Sequence, residues 1–249
     1  MRKAKVNFLI CGTQKGGATA LDAYLRGHPE VCMAKRKEVH FFDNEKFFRH
    51  SHPDYEYYHS NFHLQKEQWL IGESTPIYMY WQSSPSRIWQ YNPKMKMIVL
   101  LRNPVDRAYS HWNMERLRGA EDLSFWDAIT QESVRSKMSL PFQHRVYSYI
   151  DRGFYPEQLR RLWRYFEKSQ VLILKSEDLV ELPKETLNKI CTFLGVSELQ
   201  GVISKSEHTL KYESPMDKLA KDYLWNIFNH HVSELERMLG WDCSKWRNL

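Results

Sequence analysis

What limits the possible folds of this chain more than anything else is a junction near its N-terminus. The apolar run Val6-Asn7-Phe8-Leu9-Ile10-Cys11 meets the loop Gly12-Thr13-Gln14-Lys15-Gly16-Gly17, which leads into Ala20, Leu21, Tyr24 and Leu25 at helical spacing. A nearly continuous apolar run ending at glycine reads as a strand buried on both faces, and so as a central parallel strand. Gly27 and Pro29 supply the stop signals of the helix that follows. Strand, glycine loop and helix in that order aim backbone N–H groups and the helix dipole at one point, where a phosphate belongs.

The same grammar returns further along. Met97-Ile98-Val99-Leu100-Leu101 is followed by Arg102, by Asn103 as an N-cap, by Pro104 at the first helical position and by Asp106 in the first turn. Val171 to Leu174 is a third candidate strand, preceded by a helix carrying Glu157, Leu159, Leu162, Trp163 and Phe166. Trp69 to Gly72 adds a further short strand, and the pattern from Lys184 onward is largely helical. Helices alternating with short apolar strands predict an α/β fold with a mainly parallel sheet. With no repeat and no Pro/Ser/Gly linker, the simplest count is one domain over residues 1–249.

Composition removes whole classes. At 42% hydrophobic and 27% charged residues the chain is globular, neither disordered nor collagen-like. No apolar run approaches the ~20 residues that cross a bilayer. The start Met-Arg-Lys-Ala-Lys enters a strand-like run with no small-residue cleavage site, so the expected location is cytoplasmic. Cys11, Cys32, Cys191 and Cys243 are scattered, which predicts free buried thiols rather than a zinc site or a disulfide framework. A net charge of +6 favours anionic ligands, with nucleic acid as one candidate and a small phosphorylated cofactor as another. The basic residues are spread out and no nucleic-acid module is visible, so no nucleic-acid partner is expected.

The first loop is not a Walker A loop. That motif needs Gly-Lys-Ser/Thr at its end, whereas here the lysine comes early and Ala18 follows the glycines. A P-loop nucleotide-dependent kinase is therefore the alternative rather than the first reading. Arg102 at a strand end and Ser110 about two turns into the next helix can form a second anion site. Two anion sites at neighbouring strand ends suit a nucleotide with phosphates at two positions.

Three ordered segments carry a resemblance. Thr13-Gln14-Lys15-Gly16-Gly17-Ala18-Thr19-Ala20-Leu21, then Lys37-Glu38-Val39-His40-Phe41-Phe42-Asp43, then Leu101 to His111 are similar to the signature segments of sulfotransferases that use 3′-phosphoadenosine 5′-phosphosulfate (PAPS), of the heparan sulfate or carbohydrate type and its bacterial homologues. The likeness continues through Arg152 to Tyr155 with Gln158 and Leu159, and through Glu177 to Gly195. The resemblance implies a P-loop-kinase-like central parallel sheet flanked by helices. It implies transfer of a sulfuryl group to a hydroxyl or amine acceptor, on a carbohydrate or small metabolite, with 3′-phosphoadenosine 5′-phosphate as product and no metal. Carried over by position, Lys15, Gly16, Gly17, Ala18, Thr19 and Ala20 bind the phosphosulfate, Arg102 and Ser110 the 3′-phosphate, and Lys211 and Tyr212 belong to the loop that closes over the nucleotide. The pattern departs at Ala18, where many relatives have Thr or Ser, and at Ser74, where heparan-type enzymes have lysine.

Sulfuryl transfer asks the protein to align an acceptor oxygen behind the sulfur and to stabilise charge on the departing phosphate oxygen. Lys15 fits the second task. Removing the acceptor's proton needs a carboxylate or imidazole, and Glu38 and His40 are the candidates. If Lys37 to Phe41 is extended, Glu38 and His40 share one face while Val39 and Phe41 bury the other, and Asp43 can orient His40. Chemistry alone leaves the choice of base open; the resemblance makes it Glu38. His50, His52, His59 and His63 lack a carboxylate or cysteine to complete a metal site, and His111 is expected to pack. The aromatic band from Tyr55 to Trp89 is expected to serve mainly as core, with some rings available to an acceptor cleft.

Overall fold

A computed structural model describes residues 5–50, 52–199 and 214–247. In chain order the elements are β1 (Phe8–Gly12), α1 (Ala18–Arg26), β2 (Val31–Met33), α2 (Tyr55–His59), β3 (Leu70–Ser74), α3 (Ser84–Tyr91) and β4 (Lys96–Leu101). There follow α4 (Pro104–Leu117), α5 (Phe125–Thr130), α6 (Glu132–Arg135), α7 (Tyr155–Trp163), β5 (Val171–Lys175), α8 (Ser176–Glu181), α9 (Pro183–Leu194), α10 (Lys218–Leu239) and α11 (Ser244–Arg247). The chain divides into two compact units, Met1–Leu101 with Arg161–His208, and Arg102–Arg160 with Thr209–Leu249.

The first unit holds the sheet, in the order β2-β3-β1-β4-β5, with every pairing parallel. As the apolar run predicts, β1 is central, and Phe8, Leu9, Ile10 and Cys11 are fully buried. Its chain leaves to one side for β2 and β3 and later crosses to β4 and β5 on the other. The carboxyl end of β1 is therefore a topological switch point, the place where open parallel sheets take ligands. The predicted strands at residues 69–72, 97–101 and 171–174 correspond to β3, β4 and β5. β2 has only three residues and carries no periodicity of its own, so the sequence did not show it.

Packing explains the apolar runs. Phe8 and Ile10 of β1, Ile98 and Leu100 of β4, Leu21 and Leu25 of α1, and Leu187 and Ile190 of α9 share one buried cluster. Each such side chain stabilises the fold by about 1.5–3 kcal/mol through burial. Gly72 is required here, because a Cβ on it would lie 2.3 Å from the Phe8 ring.

In the second unit α4 begins as predicted. Asn103 caps it by accepting from Val105 N at 2.9 Å, Pro104 follows, and Asp106 lies in the first turn. The Asn103 amide also donates to Trp246 O at 3.0 Å, tying α11 to this start. Gly153 admits α10, since a Cβ there would meet the Phe228 ring at 2.5 Å. The C-terminal helical expectation is met by α9, α10 and α11 among the described residues.

Candidate active site

The loop after β1 is held from both ends. Thr13 N donates to Leu100 O at 2.9 Å, and Gly16 N donates back to Thr13 O at 2.9 Å. A Cβ on Gly16 would lie 2.4 Å from Leu100 O and 2.9 Å from Thr13 Cγ2, so the backbone turns where a side chain has no room. Lys15 and Gly17 adopt positive φ, 69° and 96°. Gly17 precedes α1 and offers it no side-chain cap, and the first turn of α1 contains no acidic residue. The first amides of a helix have no intrahelical acceptor, so Ala18, Thr19 and Ala20 present N–H groups and the positive end of the dipole. A strand-to-helix cradle of this kind fits an anionic phosphate or phosphosulfate.

The candidate base lies at the same edge of the sheet. Ser74 sits across from Ile10 in the β1–β3 register, and its carbonyl accepts from Glu38 N at 2.9 Å. The expectation of an extended Lys37–Phe41 segment is corrected by the backbone: Glu38 and His40 have φ of 60° and 55°, which is left-handed rather than extended. Alternation nevertheless survives in the burial, with Val39 and Phe41 buried and Glu38 and His40 partly exposed. Two left-handed residues flanking Val39 bring the two side chains to one side, where His40 Nε2 lies 3.3 Å from Glu38 Oε2. Asp43 orients the ring as expected, its Oδ2 lying 2.9 Å from His40 Nδ1.

Charge follows from this geometry. Burial pushes the Glu38 carboxyl up, but the His40 contact and the Lys37 ammonium, 2.8 Å from Oε1, outweigh it and hold the group at about 2. Burial lowers the His40 imidazole, and its contacts with Asp43 and Glu38 overcome this and raise it to about 9. At neutral pH the pair is carboxylate and imidazolium. The carboxylate can accept a proton there; the imidazolium can only donate one.

Sequence reasoning missed the buried carboxylate behind this turn. Glu73 of β3 is fully buried and accepts from Tyr58 Oη at 3.0 Å, Tyr78 Oη at 2.9 Å and Thr75 Oγ1 at 2.5 Å. The available signal was a carboxylate interrupting the apolar run Leu70-Ile71-Gly72. Of the aromatic band, Tyr58, Tyr78, Tyr80 and Trp81 are buried as core, while Tyr57, Trp69 and Trp89 are exposed. His59 Nε2 lies 2.8 Å from Tyr91 Oη. The four cysteines are free and buried.

Arg102 and Ser110 belong to the second unit. Arg102 is half-buried and its carbonyl accepts from Tyr155 Oη at 2.8 Å; Ser110 is buried in α4. Burial raises the Asp106 carboxyl, and Arg102 and Lys221 pull it partly back. His111 packs edge-on against Tyr149 with ring centroids 4.9 Å apart. Lys211 and Tyr212 lie outside the described residues.

Comparison with known proteins places the chain among sulfotransferases. The chain is 22% identical over 317 residues to the membrane-associated sulfotransferase kil1 of Dictyostelium discoideum, covering 97% of this chain and 66% of that protein. It is 32% identical over 197 residues to human heparan sulfate glucosamine 3-O-sulfotransferase 6, covering 77% of this chain and 52% of that one. The chain thus spans about half to two thirds of these relatives' lengths. Among solved structures, a sulfotransferase from Alicyclobacillus acidocaldarius superposes with a TM-score of 0.85 at 27% identity, covering 98% of this chain and 100% of the other. The sulfotransferase domain of the curacin biosynthetic pathway shares the fold, with a TM-score of 0.52 at 15% identity. The sulfotransferase domain model matches residues 5–238, from the strand before the glycine loop to the end of the long C-terminal helix, and the chain belongs to that family.

Proposed function

We propose that this chain transfers a sulfuryl group from PAPS to a hydroxyl or amine acceptor on a carbohydrate or small metabolite, with Glu38 as the proton acceptor. The observation that carries the reading is the ionised Glu38, held beside a protonated His40 at the sheet edge from which the glycine loop departs. The donor, when bound, supplies the sulfuryl group and a phosphate leaving group. The amides of Gly16 to Ala20 hold its phosphosulfate, and the Lys15 ammonium stabilises charge on the departing oxygen. Arg102 and Ser110 take the 3′-phosphate. Glu38 accepts the acceptor's proton at a carboxylate oxygen. A carboxylate held near 2 is a weak base, but an attacking hydroxyl becomes acidic as its bond to sulfur forms, so the proton passes late. His40, fixed by Asp43, orients that carboxylate.

The whole of residues 1–249 is read as one sulfotransferase domain, supported by the family match over 5–238. A carbohydrate acceptor is supported by the heparan sulfate relatives. The free thiols support action in a reducing compartment, the cytoplasm. Among the described residues no helix is long and apolar enough to span a membrane, and no group of three or more metal-ligating side chains occurs.

Thermal-shift titration tests the donor. 3′-Phosphoadenosine 5′-phosphate should raise Tm by mass action, and ATP with magnesium or duplex DNA should do so less. A larger shift with ATP and magnesium would favour the kinase alternative. Radiolabelled transfer onto glycans, lipids and phenols then identifies the acceptor class.

A further inference from the structure

We propose that Tyr78 is a positioning residue for the turn that carries Glu38, His40 and Asp43, with its hydroxyl aimed by Glu73. The hydroxyl donates to Glu73 Oε1 at 2.9 Å and accepts from Phe41 N at 3.0 Å. Phe41 is fully buried and lies between His40 and Asp43, so its amide depends on that acceptor. Glu73 accepts from Tyr58, Thr75 and Tyr78; by taking the Tyr78 hydroxyl hydrogen it fixes the direction of that hydroxyl and leaves the tyrosine oxygen's lone pairs for the amide. Arg87 holds the next carbonyl, donating from Nη1 to Phe42 O at 3.0 Å, and Glu38 N is tied to Ser74 O. The left-handed residues Glu38 and His40 thus lie between two anchors, Ser74 O at the end of β3 and Tyr78 Oη in the turn just after it. Left-handed backbone at non-glycine residues is strained and persists only where surroundings impose it. Tyr78 is one of those surroundings, joining the buried carboxylate to the reacting face.

The inference rests on the reading of Glu38 as proton acceptor only for its effect on turnover; its effect on the turn can be read without any reaction. Tyr58 supplies the control. Its hydroxyl donates to the same Glu73 oxygen at 3.0 Å and is equally buried, but its ring, not its hydroxyl, meets the turn, stacked on Phe41. The experiment compares Tyr78→Phe with Tyr58→Phe by titrating the His40 imidazole by NMR, assigned through His40→Gln. Tyr78→Phe should lower the His40 midpoint by about one pH unit or more, a tenfold change in proton affinity, as the ring loses its place between Glu38 and Asp43. Tyr58→Phe should leave the midpoint unmoved while still lowering Tm. Equal midpoints in all three proteins, or equal displacement in both variants, would overturn the proposal. Hydrogen exchange on the parent protein needs no variant: the Phe41 amide should exchange as slowly as the β1 amides, and loop-like exchange there would also overturn it. On the acceptor, kcat of Tyr78→Phe should fall on the order of 10-fold to 100-fold with affinity for 3′-phosphoadenosine 5′-phosphate unchanged. If the midpoint moves and turnover does not, the positioning stands and the role of Glu38 falls.

Discussion

Oε2 of Glu38 lies 3.3 Å from Nε2 of His40, and both residues reach that distance from left-handed backbone. Each stabilises the charged form of the other, so the pair divides the labour that the residue types alone leave open. The imidazole already carries its proton, and the carboxylate is the member of the pair that is able to accept one.

Replacing Glu38 by glutamine keeps the shape and removes the proton acceptor. The variant should lose about 100-fold to 10,000-fold in kcat while binding 3′-phosphoadenosine 5′-phosphate as the parent does. Initial rates and calorimetric titration check the two halves; undiminished turnover would assign the base elsewhere.

The same pair sets a pH dependence of stability. His40 is raised from 6.5 to about 9, so its contribution is complete below pH 6.5 and is lost as pH rises through about 9. Glu38 is lowered from 4.5 to about 2, so its contribution is complete above pH 4.5 and is lost as pH falls through about 2. The Tm difference between the parent and His40→Gln should therefore shrink as pH rises from 6.5 to 9. A difference that stays constant over that window contradicts the assignment.

Gly16→Ala should be costly. Its Cβ would meet the Leu100 carbonyl at 2.4 Å, and that oxygen is part of β4 and already accepts from Thr13 N. Crowding of this kind costs about 1–3 kcal/mol, and nucleotide binding should weaken with it. Gly27→Ala is the contrast: its φ is -81° and no neighbour comes within 3.5 Å, so it should be neutral or stabilising by about 0.4–1 kcal/mol. Thermal melts of the two variants decide it, since their shifts should differ in sign or size.

Arg102→Ala should discriminate between nucleotides. Losing a charge-assisted hydrogen bond of about 1.5–3 kcal/mol weakens 3′-phosphoadenosine 5′-phosphate by roughly 10-fold to 100-fold. Adenosine 5′-phosphosulfate, which lacks the 3′-phosphate, should bind the variant and the parent alike. Lys15→Ala should weaken both ligands. Isothermal titration of the two nucleotides separates the cases, and a uniform loss with Arg102→Ala would remove it from the 3′-phosphate.

Much of this molecule was legible before folding was considered. The central strand, the glycine loop and α1, and the Asn103-Pro104 start of α4 are written in neighbours along the chain, as burial runs, caps and breakers. That Glu38, His40 and Asp43 can form one cluster was legible too, since they lie within six positions, and the structure brings them together. β2 escaped notice because three residues hold no period, and Glu73 escaped because a buried carboxylate declares itself only through its partners.

Spacing and residue type chose the candidates; folding set their geometry and charge. The left-handed turn exists because Ser74 O and Tyr78 Oη, 36 and 37 positions away, capture the amides of Glu38 and Phe41. The proton on His40 stays because that turn places two carboxylates against one ring. Capping and periodicity are properties of adjacent residues, whereas a strained backbone and a displaced proton equilibrium depend on groups that meet only when distant segments are packed together.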